Sequence, residues 1–458
     1  MWPESIPQAA LAARRERLAQ RLETPALLIS GFARPRNYRA NRFPFRAESH
    51  FLYFVGRPLE GAALVVRPDG STLYAEPPDP EEALWTGPQP TLEQLASELG
   101  LEVRPIDELR LEEPTATLPS ADAETAFVQS ELVGRDLEPA SGPELEGIDR
   151  ALADAVIELR LIHDEAAIAE MRAAAAVTER AHRAGMRATR PGLREAAVVA
   201  AMDAEIVAAG YTHAYQPIVT REGEVLHDER HHRLLEAGDL VLADVGSETP
   251  GGWASDVTRT WPVTGKYSGS QRALYEVVLA AQRAAIAAVR PGVRYRDVHR
   301  VAGKTLLAGL VALGLFKGDV EELYARGAAA LFFPHGIGHL LGLDVHDMED
   351  LGDRAGYAPG RERSKNFGDR YLRLDRDLAA GMIVTIEPGY YRIPYLLERP
   401  EEVGDLEAAL DRKVLAELAD VRGIRIEDDV LVTDAGADVL TASIPKAPDD
   451  VEAAVRGR

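Results

Sequence analysis

Five side chains in four separated segments of the second half could together bind cations and activate water. Leu240-Val241-Leu242-Ala243-Asp244-Val245-Gly246 reads as a strand ending in a carboxylate, and Ala254-Ser255-Asp256-Val257-Thr258-Arg259-Thr260 reads as its partner. Thr249-Pro250-Gly251-Gly252 between them is turn material, so a hairpin would let Asp244 and Asp256 face each other. The run Pro334-His335-Gly336-Ile337-Gly338-His339, continuing through Asp344-Val345-His346-Asp347, places three histidines within twelve residues of a chain that has only 11. Its glycines permit close backbone approach and remove competing side chains. The cluster therefore favours a metal or catalytic site over three structural histidines. Glu387 and Glu427 sit in apolar, strand-like runs, where alternation puts Ile424 and Ile426 on one face and Arg425 and Glu427 on the other. A carboxylate in such a run is costly to bury unless it is paired or bound to a cation, which makes Glu387 informative; Glu427, beside two further acids, is less so by itself. Four carboxylates and one imidazole make a mostly hard oxygen set, suited to two divalent ions with Mn2+ ahead of Zn2+ and Co2+ as a further alternative. Two ions sharing a water would supply hydroxide near neutral pH and polarise a scissile carbonyl.

Positioning these groups needs strands fed by helices, and the sequence carries both, with a weak internal repeat. Arg190-Pro191-Gly192-Leu193-Arg194 recurs as Arg290-Pro291-Gly292-Val293-Arg294. Each copy follows an Ala-rich helical pattern and precedes another that ends near a glycine, Gly210 or Gly314. This favours a duplicated α+β half over a chance Pro-Gly break, with a site at the cleft the halves share. Ahead of the repeat, one long helical pattern runs from about Ala151 to Thr189, after a turn-rich stretch from Gly134 to Pro143. At 458 residues two domains are expected, and the boundary is placed near residue 160. In the first of them Ala26–Ser30, Phe51–Val55 and Ala62–Val66 read as strands, the last followed by a Pro68-Asp69-Gly70 turn, while the N-terminus to Arg21 reads as an amphipathic helix.

Composition narrows the function further. The 52 Lys and Arg against 74 Asp and Glu give a net charge of -22, which argues against a nucleic-acid partner. The chain has no cysteine, so disulfides and thiolate chemistry are excluded and any metal must be held by His, Asp and Glu. The N-terminus has no apolar core of signal-peptide type, and no stretch is long and apolar enough for a membrane span; a cytoplasmic location is expected.

Taken together, Asp244, Asp256, His339, Glu387 and Glu427, in this order and local context, resemble the aminopeptidase P and prolidase branch of the pita-bread metallopeptidases. Phe43-Pro44-Phe45-Arg46-Ala47-Glu48-Ser49-His50, continuing to Gly56, and Trp85-Thr86-Gly87 resemble the N-terminal domain of the same enzymes, so the likeness spans nearly the whole chain. The resemblance implies an α/β architecture: a creatinase-like domain over residues 1–160, then a catalytic pita-bread α+β domain with pseudo-twofold halves over 161–458. It implies hydrolysis of the bond between an N-terminal residue and proline, by two divalent ions on those five ligands, with Glu387 also assisting as general base. His335 and His346 are then similar to the histidines that position substrate and stabilise the tetrahedral intermediate, and His227 to a cleft histidine. Arg425 resembles the arginine that fixes the metal-binding carboxylates and Tyr391 a tyrosine near the site, although ordinary packing and a salt bridge also suit both. A homodimer or larger homo-oligomer is the family's habit. After His227 the chain departs from the family, reading Asp228-Glu229-Arg230-His231-His232 where a tyrosine and shorter turn are common.

Two subfamilies remain open. Gaps of 48 positions from His339 to Glu387 and 40 from Glu387 to Glu427 resemble the prolidases, and Arg373 resembles the arginine that binds a dipeptide's terminal carboxylate. A bidentate guanidinium would reward that carboxylate, so the reading leans to Xaa-Pro dipeptidase, with aminopeptidase P acting on longer peptides as the alternative. A non-catalytic binding module of the same fold is the remote alternative; it would lack bound metal.

Overall fold

The computed structural model describes residues 6–111, 114–139, 144–399 and 403–457. The chain divides into two compact units, one of Met1–Glu170 with Pro250–Gly252 and Met348–Ala355, the other of Met171–Thr249, Trp253–Asp347 and Gly356–Arg458.

In the first unit a five-stranded mixed sheet runs in the order Glu102–Pro105, Gly70–Ala75, Ala63–Arg67, Ala26–Ile29, Ala116–Thr117. The expected turn closes a hairpin in which Arg67 registers with Gly70 and Ala63 with Tyr74. The N-terminal helix is Gln8–Ala19; residues 1–5 of the expected helix lie outside the described residues, as do 140–143 of the turn-rich stretch.

Two expectations fail here for physical reasons. Phe51–Val55 is not a strand: it belongs to the helix Ser49–Val55, whose residues are all buried and which stops at left-handed Gly56. A short apolar run enclosed on every side has no polar face, so its periodicity cannot separate helix from strand. Nor is the pattern from Ala151 to Thr189 one helix. It is Gly147–Arg160 and Glu165–Ala188, and the Asp164 carboxylate accepts from Ala167 N at 2.9 Å, capping the second helix instead of continuing the first.

The second unit shows the duplication. Helices Glu165–Ala188 and Glu195–Ala208 recur as Gly269–Ala288 and Tyr295–Ala312, joined by the two Pro-Gly turns. Gly192 and Gly292 take φ of 86° and 81°, left-handed values that a Cβ would penalise. Both donate from N at 2.8 Å, to Leu235 O and Leu378 O respectively. One half supplies an antiparallel sheet of Thr258–Pro262, Leu240–Asp244 and Ile218–Thr220; the other supplies Ile383–Ile386, Asp428–Thr433 and Gly436–Val439. A two-stranded pair, Gly389–Tyr391 with Gly423–Arg425, completes the frame around the site.

Candidate metal centre

Each candidate ligand sits where a strand ends or pauses. Asp244 closes its strand opposite Thr258, and Asp256 lies two residues before that partner. Glu387 separates Ile383–Ile386 from Gly389–Tyr391, and Glu427 separates Gly423–Arg425 from Asp428–Thr433. His339 is pinned to the 383–386 strand: its N donates to Thr385 Oγ1 at 3.1 Å and its O accepts from Thr385 N at 3.1 Å. Gly338 makes that approach feasible. A Cβ there would stand 2.3 Å from Thr385 O and 2.5 Å from Tyr295 Oη. Gly338→Ala is therefore expected to lower stability by about 1–3 kcal/mol, read as a fall in Tm, and to dislodge His339.

The five candidate ligands converge on one cavity of about 960 Å³. One donor atom from each of Asp256, His339 and Glu427 can be chosen so that all lie within 4.8 Å of one another. His339 Nε2 is 3.3 Å from Asp256 Oδ2 and 3.7 Å from Glu387 Oε1. Its Nδ1 donates to Leu340 O at 2.9 Å, which turns Nε2 toward the carboxylates as the nitrogen a metal would take in place of its proton.

The electrostatics are those of a cation site. Burial drives Glu387 up to about 7 despite His339 and Arg425, and lifts Glu427 and Asp244 above the ordinary carboxylate range, with the neighbouring carboxylates adding to each. Of the four carboxylates Asp256 alone is lowered: burial pushes it up, but His339, with Tyr215 and His346, brings it below the ordinary range. Burial would lower His339, but Asp256 and Glu387 carry it up to about 9. Buried carboxylates that raise one another are what a divalent cation relieves, and the donor set fits such ions.

His335, His346, His227, Arg373 and Arg425 line the same cavity. His335 Nδ1 donates to Gly336 O at 2.8 Å, so Nε2 accepts from the Tyr391 hydroxyl at 2.8 Å. Burial, then Arg425, hold His335 neutral, at about 3. The His346 ring lies 4.1 Å from that of His339, centroid to centroid. His227 and Arg373 are exposed on the wall. Tyr391 is not among the lining residues: it is fully buried behind them, accepting from Arg425 Nη1 at 3.1 Å. Arg425 in turn donates to Asp244 Oδ2 at 2.6 Å and to Thr258 Oγ1 at 2.8 Å.

Several residues escaped the sequence reading. The Tyr215 hydroxyl donates to Asp244 Oδ1 at 2.6 Å, the Thr258 hydroxyl donates to Glu427 Oε2 at 2.7 Å, and Asp429 receives Ser255 Oγ at 2.7 Å. For Thr258 and Asp429 a signal existed, since each lies two positions from a ligand along an extended run and so on its face. For Tyr215 there was none.

Comparison with known proteins bears on the family and the fold. The profile described as metallopeptidase family M24 matches residues 169–434, and that of the aminopeptidase P N-terminal domain matches residues 11–119. The chain belongs to metallopeptidase family M24, in its aminopeptidase P and prolidase branch. It is 33% identical over 437 residues to a probable Xaa-Pro aminopeptidase of Fusarium vanettenii, covering 90% of this chain and 87% of that one. It is also 31% identical over 477 residues to the Xaa-Pro dipeptidase of Homo sapiens, covering 99% and 94%. Among solved structures, the Pseudomonas aeruginosa aminopeptidase PepP superposes with a TM-score of 0.81 at 30% identity, covering 99% of this chain and 98% of that one. The family member is thus a metallopeptidase with the expected two-domain α/β, pita-bread architecture.

Proposed function

We propose that this metallopeptidase hydrolyses Xaa-Pro dipeptides with two divalent ions held by Asp244, Asp256, His339, Glu387 and Glu427. One observation carries the dipeptidase reading. The long segment between His339 and Glu387 folds back as cavity wall, bringing Arg363, Arg370 and Arg373 to the cavity that the acidic cluster lines. A dipeptide is a zwitterion with a free carboxylate beside its proline, and guanidinium groups reward that carboxylate where a longer peptide has only an amide. Relatives on both sides of the branch are named for Xaa-Pro substrates, which supports the proline specificity.

The bound ions would polarise the scissile carbonyl and supply hydroxide near neutral pH. The chain's own groups do the rest. Glu387 takes the proton of the attacking water, neutral His335 orients substrate, and His346 donates to the developing oxyanion while His227 closes the wall. Arg425 on the wall and Tyr391 behind it hold Asp244 and His335 in place. Mn2+ is the proposed metal, on the hardness of four carboxylates to one imidazole. The chain also acts as a homo-oligomer in the cytoplasm. Leu84 and Trp85, 80% and 83% exposed on one short helix, give apolar surface that a second copy would cover. Among the described residues, no helix is long and apolar enough to cross a membrane.

The test compares an Xaa-Pro dipeptide, its C-terminal amide and an Xaa-Pro-Xaa tripeptide with added Mn2+. The free dipeptide is expected to be preferred, and Arg373→Ala to raise its KM by about 10–100-fold, the worth of one charged hydrogen-bonded contact. The volume of about 960 Å³ favours the second reading, an aminopeptidase acting on longer peptides. Tripeptide preference, insensitive to Arg373→Ala, would establish that reading instead.

A further inference from the structure

We infer that Arg259 and Asp429, neither of which lines the cavity, form a reciprocal brace that fixes the distance between the metal-binding groups of the two halves. The inference rests on the metal reading above and concerns residues that no metal would touch.

Asp429, 1% exposed, stands on the Asp428–Thr433 strand of the second half. Its carboxylate accepts from Asp256 N at 3.1 Å and from Ser255 Oγ at 2.7 Å, so the second half holds the backbone of the first half's ligand. Arg259, 0% exposed, stands on the Thr258–Pro262 strand of the first half. Its Nη1 donates to Glu427 O and, at 3.1 Å, to Thr258 O, so the first half holds the backbone of the second half's ligand. The same guanidinium is fixed by Asp428 Oδ1 at 2.8 Å and Pro445 O at 3.0 Å. Glu427 N donates to Thr258 O at 3.0 Å, which ties the two grips into one unit.

Alternation along one strand explains the arrangement. Glu427 and Asp429 share a face, one carboxylate reaching the cavity and the other gripping Asp256, while Asp428 points the opposite way to meet Arg259. A buried ion pair is a poor stabiliser, because desolvating two charges consumes most of what their attraction returns. The Arg259–Asp428 pair beside Glu427, and the buried Asp429 carboxylate gripping Asp256, are better explained by position. Metal sites tolerate only small displacements of their donors, and partners one layer out set where the donors lie.

The experiment titrates Mn2+ calorimetrically into the metal-free full chain and into Asp429→Asn, Arg259→Lys and the milder Ser255→Ala, with Tm and kinetics at saturating Mn2+ alongside. Asp429→Asn and Arg259→Lys are expected to lose about 10–100-fold in Mn2+ affinity, and Ser255→Ala a few-fold, with Tm near that of the wild type. Excess Mn2+ should restore kcat, with KM unchanged throughout. The double variant should lose less than the product of the two singles, since both act on one spacing. Wild-type affinity in both single variants would overturn the brace alone. Weakened affinity that merely tracks a large drop in Tm would also overturn it, marking the pair as fold supports. A wild-type chain that takes up no Mn2+ would overturn the metal reading, and the brace with it.

Discussion

An Asp256→Ala chain is expected to take up almost no divalent metal under conditions that load the wild type, and to lose hydrolysis with it. Asp256 is the carboxylate nearest His339, at 3.3 Å, and belongs to the group of donors that converge within 4.8 Å. Against its burial, it is also the one candidate ligand carboxylate lowered from its ordinary range, by His339 with Tyr215 and His346. Removing it should cost more than removing a partner one layer out, hence at least about 100-fold in metal affinity. The variant separates ligand from scaffold. Asp256 is one of the charges that raise Asp244, Glu387 and Glu427, so deleting it relieves repulsion in the metal-free chain. Deleting it also removes the attraction to His339, so metal-free Tm should change little, while the rise in Tm that Mn2+ gives the wild type should vanish. Elemental analysis together with thermal melts with and without Mn2+ measures both. Full activity, or full metal content, in this variant would contradict the assignment.

How much of this was legible beforehand follows from the period of each element. The candidate ligands lie on extended runs, where a period of two shows which side chains share a face, and they bear charge where an apolar run gives no reason for it. That made Glu387 stand out from the sequence. The Pro-Gly repeat was legible because left-handed glycines at Gly192 and Gly292 are demanded by the backbone. What could not be read depended on partners distant in sequence. Tyr391 is as plausible on a cavity wall as behind it, and only the fold shows its hydroxyl between His335 and Arg425. The burial of the two acids beside Glu427 was not legible either: Asp428 is 0% and Asp429 1% exposed, because Arg259 and Ser255 arrive from more than 160 residues away. The helix Ser49–Val55 was misread because complete burial erases the pattern that identifies a helix.

The second large effect is expected at Glu387, where position and chemistry can be pulled apart. Its carboxylate lies between two histidines, Oε1 3.7 Å from His339 Nε2 and Oε2 3.8 Å from His335 Nδ1. Glu387→Gln keeps the size of the side chain and one oxygen able to act as a ligand, but it cannot accept a proton from water. If Glu387 serves only as a ligand, the amide should weaken metal binding while the rate at saturating Mn2+ recovers. If it also takes the proton, kcat should stay about 10²–10⁴-fold down however much Mn2+ is added, the usual worth of a positioned general base. KM should change little, since Arg373 and the cavity wall are untouched. Glu387→Asp sharpens the comparison: it keeps the base but withdraws it by one methylene, so it should recover part of the rate that Gln does not. The expected order at saturating Mn2+ is wild type, then Asp, then Gln. A Gln variant restored to the wild-type rate by metal alone would leave Glu387 as a ligand and move the base elsewhere, with His346 the next group on the same wall to test.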